Sequence, residues 1–402
     1  MEGLEVTDLA DRYGTPLYVY SRKVLEQKLT LLRGALPEAF NVYYSVKANP
    51  NPKVISFLVR QGCGLEVASG GELEKALQSG CAAGKILFAG PGKTEPELEL
   101  ALMKGIGELH VESLRELERI SRIGARLGVK ARVAIRVNPL GEVAGGAMLM
   151  GGKPAPFGID EERLEQVLGS VLSNPSIEFR GIHLFVGTQI LDTTVLLSQY
   201  RKALEIARWA VQLAGRPLAT LDFGGGFGIP YFSDEQELDL ELLEIGLDRL
   251  MQEIRCDRAF QGTQFVVEPG RYLVGECGIY IARVNDIKVS RGKKYLILDG
   301  GMHHHLAASG NLGQIIKRNF PVALLNRLDE PASDIVDVVG PLCTPLDMLA
   351  RQVRLPSAQV GDLFGIFQSG AYARSASPLH FLSHPEPPEV WVDAGEVRLT
   401  TE

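Results

Sequence analysis

Phe40-Asn41-Val42-Tyr43-Tyr44-Ser45-Val46-Lys47-Ala48-Asn49-Pro50 carries an apolar, aromatic stretch straight into a lysine. Phe40 to Val46 reads as a buried strand, so Lys47 projects from a strand end into whatever lies beyond it. A lysine at a strand exit is ordinarily an ammonium meeting solvent. It is also the residue type that can hold an aldehyde as a Schiff base. The choice between these readings depends on whether the rest of the chain can hold a carbonyl cofactor.

Leu221-Asp222-Phe223-Gly224-Gly225-Gly226-Phe227-Gly228 is a short apolar strand running into a glycine cluster. Successive glycines let backbone N–H groups converge on an anion and let a phosphate come close. A tight turn uses the same residues, but neither a Walker lysine nor a dinucleotide fingerprint follows, which favours a phosphate outside ATP or NAD. Phe265-Val266-Val267-Glu268-Pro269-Gly270-Arg271 is another apolar strand, ending in a carboxylate and then a guanidinium. These two suit a solvated ion pair. They suit equally a pyridine nitrogen and a phosphate, since a carboxylate beside the ring nitrogen favours the protonated ring and a stronger electron sink. Lysine, phosphate loop and ring acid together are what pyridoxal 5′-phosphate requires.

YYSVKANPNPKV, LEVASGGELEKAL, GIHLFVGTQ, LDFGGGFGIPY, VEPGRYLVGECG, LDGGMHHHL, GPLCTPLDML and SGAYARSASPLHF occur in this order over nearly the whole chain. In that order the chain resembles the fold-type III pyridoxal phosphate decarboxylases, which act on diaminopimelate, ornithine and arginine. The resemblance implies an α/β fold, an alanine-racemase-like (β/α)8 TIM barrel with a C-terminal antiparallel β-domain, assembled as a head-to-tail homodimer with shared active sites. It makes Lys47 the cofactor lysine, Gly224, Gly225, Gly226 and Gly228 the phosphate loop, and Glu268 the partner of the pyridine nitrogen. Arg271 and Tyr372 fall at phosphate-side contacts, and Thr188 stands where a serine contacts phosphate. Cys343 falls where a cysteine from the neighbouring subunit protonates the carbanion left by carbon dioxide loss, a role its chemistry allows. Its other reading is a small buried hydrophobe. Glu66 and Arg136, at further strand ends, either tune the cofactor ring or are structural.

The departures bear on the substrate. Phe185 replaces a histidine that stacks on the ring, keeping a π-face but losing a titratable group. Thr344 follows Cys343 where a glutamate recognises a distal ammonium, and a neutral hydroxyl forgoes the charge-assisted bond. After Met302 the arginine that grips a distal carboxylate gives way to His303-His304-His305. These features resemble the secondary-metabolite branch of the family, including the butirosin-pathway decarboxylation of glutamate held on an acyl carrier protein. The expected reaction is therefore loss of the α-carboxylate from an amino acid or aminoacyl carrier protein, with meso-diaminopimelate decarboxylation to lysine as the alternative. A racemase would need a tyrosine where Cys343 lies, and a non-catalytic regulator would have lost the cofactor residues.

His303, His304 and Thr344 are candidate substrate contacts. Three adjacent histidines diverge on a strand or helix, so no metal is expected there. His183 reads as a satisfied core histidine. Residues between Asn138 and Phe157, rich in glycine and methionine, lack a helical or strand period and read as a flexible lid, or else a merely mobile insertion, with Met148 and Met150 as candidates to pack on a substrate arm.

Alternating strand and helix patterns such as Leu114 to Leu127 place the barrel at 22–280. Short β-type runs such as Leu363 to Ile366 place the β-domain at 281–402, joined by the N-terminal strand of 1–21. At 402 residues the chain has room for two cores, and a formal net charge of −7 without a basic run argues against nucleic acid. The sequence shows neither a signal peptide nor a membrane-spanning apolar run. Cys63, Cys81, Cys256, Cys277 and Cys343 are odd in number and widely spaced, which favours reduced thiols in a cytoplasmic protein.

Overall fold

The structure is a computed structural model describing residues 2–141, 148–149, 152–312, 314 and 316–400, with only the backbone of Met148 and Leu149. It contains two units, one of residues 30–228 and 237–270 and the other of residues 1–29, 229–236 and 271–402.

The first unit is an eight-stranded parallel barrel. Its strands are β1 (Phe40–Ser45), β2 (Gly64–Val67), β3 (Ile86–Phe88), β4 (Glu108–Val111), β5 (Ala131–Asn138), β6 (Ile177–Leu184), β7 (Thr220–Asp222) and β8 (Gln264–Val267). Each pairs in parallel with its sequence neighbour, and β8 pairs with β1 to close the ring. Parallel strands covered on both faces need near-continuous apolar runs, and β2, β3 and β4 are buried along their whole length.

The connecting helices are delimited by local chemistry. The Ser69 side chain caps Gly70–Gln78 by accepting the Glu72 N–H, Thr94 and Glu97 form a capping box on Glu95–Lys104, and Ser113 caps Leu114–Leu127. Gly105 and Gly128 end the last two in left-handed backbone. β1 stops one residue earlier than the sequence suggested. Val46–Ala48 is a turn of 3₁₀ helix closed by the Asn49 N–H on the Val46 carbonyl, so Lys47 sits in a turn just past the strand.

Barrel interiors are usually filled by branched apolar side chains. Here Glu108, His110 and Glu112, alternate residues on β4 and just beyond it, are all buried. The strand period sends the three to the same side. They form a polar column with Glu112 at its upper end.

In the other unit Leu17–Ser21 lies between Gly278–Ser290, antiparallel to it, and Glu389–Asp393, parallel to it. Gly278–Ser290 also pairs with Lys293–Leu298 and Leu363–Ile366. Most pairings are antiparallel, but Lys293–Leu298 also runs parallel to Asp334–Val339, so the sheet is mixed. Leu9, Leu17, Val19, Ile281, Leu363, Val390 and Val392 form an apolar cluster on this sheet. No described helix is long and apolar enough to cross a membrane.

Candidate active site

Lys47 Nζ lies 3.0 and 2.9 Å from the two oxygens of Glu66, and the Ser45 hydroxyl donates to Glu66 Oε2 at 2.5 Å. Register explains the grouping, because Ser45 and Glu66 are Cα partners across β1 and β2. Glu66 is 1% exposed while the lysine side chain remains 38% exposed, so a buried anion holds a reachable amine. The Phe185 ring, half-buried after β6, has Lys47 Nζ 5.8 Å from its centroid and the Arg136 guanidinium also at 5.8 Å.

Arg136, 6% exposed on β5, donates from Nη1 to Glu112 Oε1 at 2.9 Å. Glu112 Oε1 also accepts the Gly90 N–H at 2.7 Å and Oε2 the Gly158 N–H at 3.0 Å. The acid at the top of the polar column thus sets the position of the arginine beside Phe185.

The glycine loop packs against the same residues. Gly224 has φ +69°, and a Cβ there would lie 2.6 Å from the Leu184 carbonyl and 2.9 Å from the Phe185 ring. A Cβ on Gly225 would lie 2.5 Å from the Glu268 carbonyl, so the loop passes that strand end too closely for any side chain. Thr188 is half-buried and its backbone pairs with Met148 in a two-residue ladder. The side chain of Met148, all of Met150, and residues 142–147 and 151 of the expected lid lie outside the described residues. The loop's return is fixed by Asn138, which accepts the Gly152 N–H at 2.8 Å and donates to Asp160 at 2.9 Å.

Glu268 is buried, with Oε1 lacking any hydrogen-bond partner. His183 is buried beside it, Nε2 3.4 Å from Glu268 Oε2, but neither ring nitrogen makes a well-formed hydrogen bond. It is not the satisfied core histidine its sequence position suggested, because its neighbours in the barrel are rings and carboxylates rather than backbone carbonyls.

Within the other unit, Arg271 Nη1 donates to the Tyr231 hydroxyl at 2.9 Å and its guanidinium lies 4.7 Å from the Tyr372 ring centroid. Arg271 Nε is buried with no acceptor. Cys343 is exposed, whereas burial pushes the thiols of Cys63 and Cys81 up to about 11 and that of Cys277 to about 12, leaving them protonated and inert. The Thr344 hydroxyl accepts the Leu346 N–H at 3.3 Å and so shapes the turn after the cysteine. Asp347 joins this loop to the histidine run, accepting the Leu342 N–H at 2.9 Å and the Met302 N–H at 2.6 Å.

The three histidines separate. His303 and His304 rings lie 3.6 Å apart, with His384 4.6 Å from His303, whereas His305 turns to Ser369 and the Tyr18 and Tyr280 rings. Both His303 ring nitrogens are buried without partners. Burial pushes the imidazoles of His303, His304 and His305 down to about 3, 4 and 3, so all are neutral at physiological pH. Sequence reading missed Glu112, Asp347 and His384; only Glu112 had a signal, the Glu-Leu-His-Val-Glu alternation of 108–112.

A cavity of about 230 Å³ opens at the opposite ends of the strands, lined by Tyr43, Glu108, Arg180 and Thr220. It includes no member of the Lys47 group. Burial raises the Glu108 carboxyl to about 7, against hydrogen bonding from Thr220. The residues around Lys47 do fit pyridoxal phosphate. They offer a reachable amine, a flat apolar ring, backbone that excludes side chains, and a buried acid, Glu268, at a strand end.

Residues 22–275 match the family described as pyridoxal-dependent decarboxylase, pyridoxal binding domain. The chain is 38% identical to an L-glutamyl-[BtrI acyl-carrier protein] decarboxylase of Niallia circulans, covering 99% of this chain and 94% of that protein. It is 34% identical to a diaminopimelate decarboxylase of Aquifex aeolicus over 99% of this chain and 91% of that protein. The crystal structure of a diaminopimelate decarboxylase from M. jannaschii in complex with L-lysine superposes with a TM-score of 0.91 at 27% identity, covering 99% of this chain and 92% of that one.

Proposed function

Because the chain belongs to the pyridoxal-dependent decarboxylases, we propose that its substrate is a glutamyl group held in thioester linkage on an acyl carrier protein. The observation that carries this reading is the lack of charge at both distal anchor positions. His303 and His304 are neutral, and Thr344 spends its hydroxyl on a turn. A thioester-linked glutamyl group presents neither a distal carboxylate nor a distal ammonium, so it loses nothing by meeting uncharged groups. The 38% identity to a glutamyl-carrier decarboxylase supports the same reading.

When bound, pyridoxal phosphate supplies an electron sink conjugated to the substrate α-carbon. Lys47 would hold it, with Glu66 fixing where the lysine nitrogen sits. Glu268 would accept the ring N–H, and the glycine loop and Thr188 would receive the phosphate. Phe185 presents an apolar face, and Arg136, anchored by Glu112, flanks it. Cys343 would deliver a proton to the α-carbon after carbon dioxide leaves. Its exposure supports a head-to-tail dimer in which one copy's Cys343 serves the other's site. Five free cysteines agree with a reducing, cytoplasmic setting.

The test is carbon dioxide release by the cofactor-loaded protein from free diaminopimelate, ornithine, lysine, arginine and glutamate, beside glutamyl-loaded carrier protein. Turnover of the carrier-bound group alone is expected. Turnover of free diaminopimelate at a comparable rate would overturn the substrate assignment and favour lysine formation.

A further inference from the structure

His110, His183, Asp222 and Glu268 are each no more than 5% exposed, and one ligand atom from each lies within 4.8 Å of the others. β4, β6, β7 and the end of β8 deliver them to one layer inside the barrel. Asp222 Oδ1 accepts the Gly224 N–H at 2.8 Å, and the Glu268 N–H donates to the Gly224 carbonyl at 2.8 Å. Asp222 Oδ2 and Glu268 Oε1 have no hydrogen-bond partner. Two ionised carboxylates so close, shielded from water, would repel each other and leave both oxygens without a donor. One proton between them removes the second charge and supplies the missing donor.

The neighbours do not offer an alternative cation. His110 Nε2 is 3.9 Å from Asp222 Oδ2, but burial holds both His110 and His183 well below their usual range, and so neutral. Glu108, Tyr43 and Tyr200 also face Asp222, and none carries positive charge. Burial first, and then the Glu268 charge, drive the Asp222 carboxyl well up.

We propose that Asp222 is a positioning residue that carries a proton and donates it to Glu268, fixing that carboxylate as acceptor for the ring nitrogen while tying it through Gly224 to the glycine loop. This rests on the reading of Glu268 as the ring-nitrogen partner. The Asp222 proton stays on its oxygen throughout, and no bond to carbon is made or broken.

The test compares wild type with Asp222→Asn, whose amide can donate to Glu268 and accept from Gly224, and with Asp222→Ala. In cofactor-free protein, folded Asp222 keeps a proton that the unfolded chain loses near pH 4. Wild-type stability therefore falls as pH rises above about 4, and until the folded-state carboxyl itself ionises the ratio of wild-type to Asp222→Asn unfolding constants should rise by up to about tenfold per pH unit. Pyridoxal phosphate affinity should stay within about threefold in Asp222→Asn and fall at least about tenfold in Asp222→Ala, the loss of one donor to a charged group. A ratio independent of pH, or full affinity in Asp222→Ala, would overturn the proposal. So would a stoichiometric metal in the purified protein, which would require both carboxylates ionised. If instead Glu268→Gln leaves the affinity unchanged while the pH-dependent ratio holds, the ring-nitrogen reading has failed and the shared proton stands.

Discussion

Glu112→Ala should be among the most destabilising single changes in the barrel, although Glu112 is not expected to touch the cofactor. The carboxylate accepts three hydrogen bonds, from Arg136, Gly90 and Gly158, and Arg136 is 6% exposed. Removing it leaves a buried guanidinium without its anion, which costs about 3–5 kcal/mol. For a barrel of this size that corresponds to roughly 6–20 °C in melting temperature. Glu112→Gln keeps an acceptor oxygen but loses the charge, and should cost about 1.5–3 kcal/mol. Adding Arg136→Met to Glu112→Ala removes the orphaned charge, so the double variant should recover part of the loss, with a coupling of about 2–3 kcal/mol in the cycle. Thermal unfolding of cofactor-free protein by circular dichroism reads all four corners. Because the pair is buried, the coupling should survive added salt. The reasoning is wrong if Glu112→Ala melts within about 2 °C of wild type, a loss of less than about 1 kcal/mol, or if the double variant is as unstable as the sum of its parts.

Lys47→Ala should abolish both the visible absorbance of the lysine-bound cofactor and carbon dioxide release; survival of either contradicts the assignment. Cys343→Ala should slow turnover by about 10²–10⁴-fold, the usual worth of a positioned proton donor, with cofactor affinity unchanged; an undiminished rate removes its role. His305 accepts the Ala308 N–H on Nδ1 and lies 2.9 Å from Ser369 Oγ through Nε2, which fixes the neutral tautomer. Its folded-state value of about 3 lies below the unfolded value, so its contribution is present above pH 6.5 and lost as pH falls from there toward 3. Relative to His305→Gln, wild type should lose up to about tenfold in folding equilibrium per pH unit across that window, measured by urea unfolding. Parallel pH profiles would show that the imidazole titrates alike in both states.

Lys47, the glycine loop and Glu268 could be read from the chain because each lies where an apolar run ends, and a strand end is a local signal. The barrel was legible for the same reason, as its βα units repeat with their own caps. Pairings across the fold were not. Glu66 meets Lys47 only through the register of β1 on β2, Glu112 meets Arg136 from another strand, and His384 reaches His303 from a distant loop. The parallel pairing of Leu17–Ser21 with Glu389–Asp393 escaped notice because it joins segments far apart in sequence. Phe185 and Thr344 drew attention only as departures from the family pattern, and their contacts give those departures physical content.

The place of Leu17–Ser21 in its sheet bears on how the chain is made. One of its neighbours, Glu389–Asp393, leaves the ribosome about 370 residues later. At about 5–20 residues per second, that strand waits roughly 20–75 s for its second partner. During synthesis its five residues, all buried in the finished protein, show an unpaired apolar edge. Any nascent-chain chaperone should engage this segment longer than the barrel strands, most of which find a partner within the next few dozen residues. Removing residues 389–402 would make that temporary edge permanent.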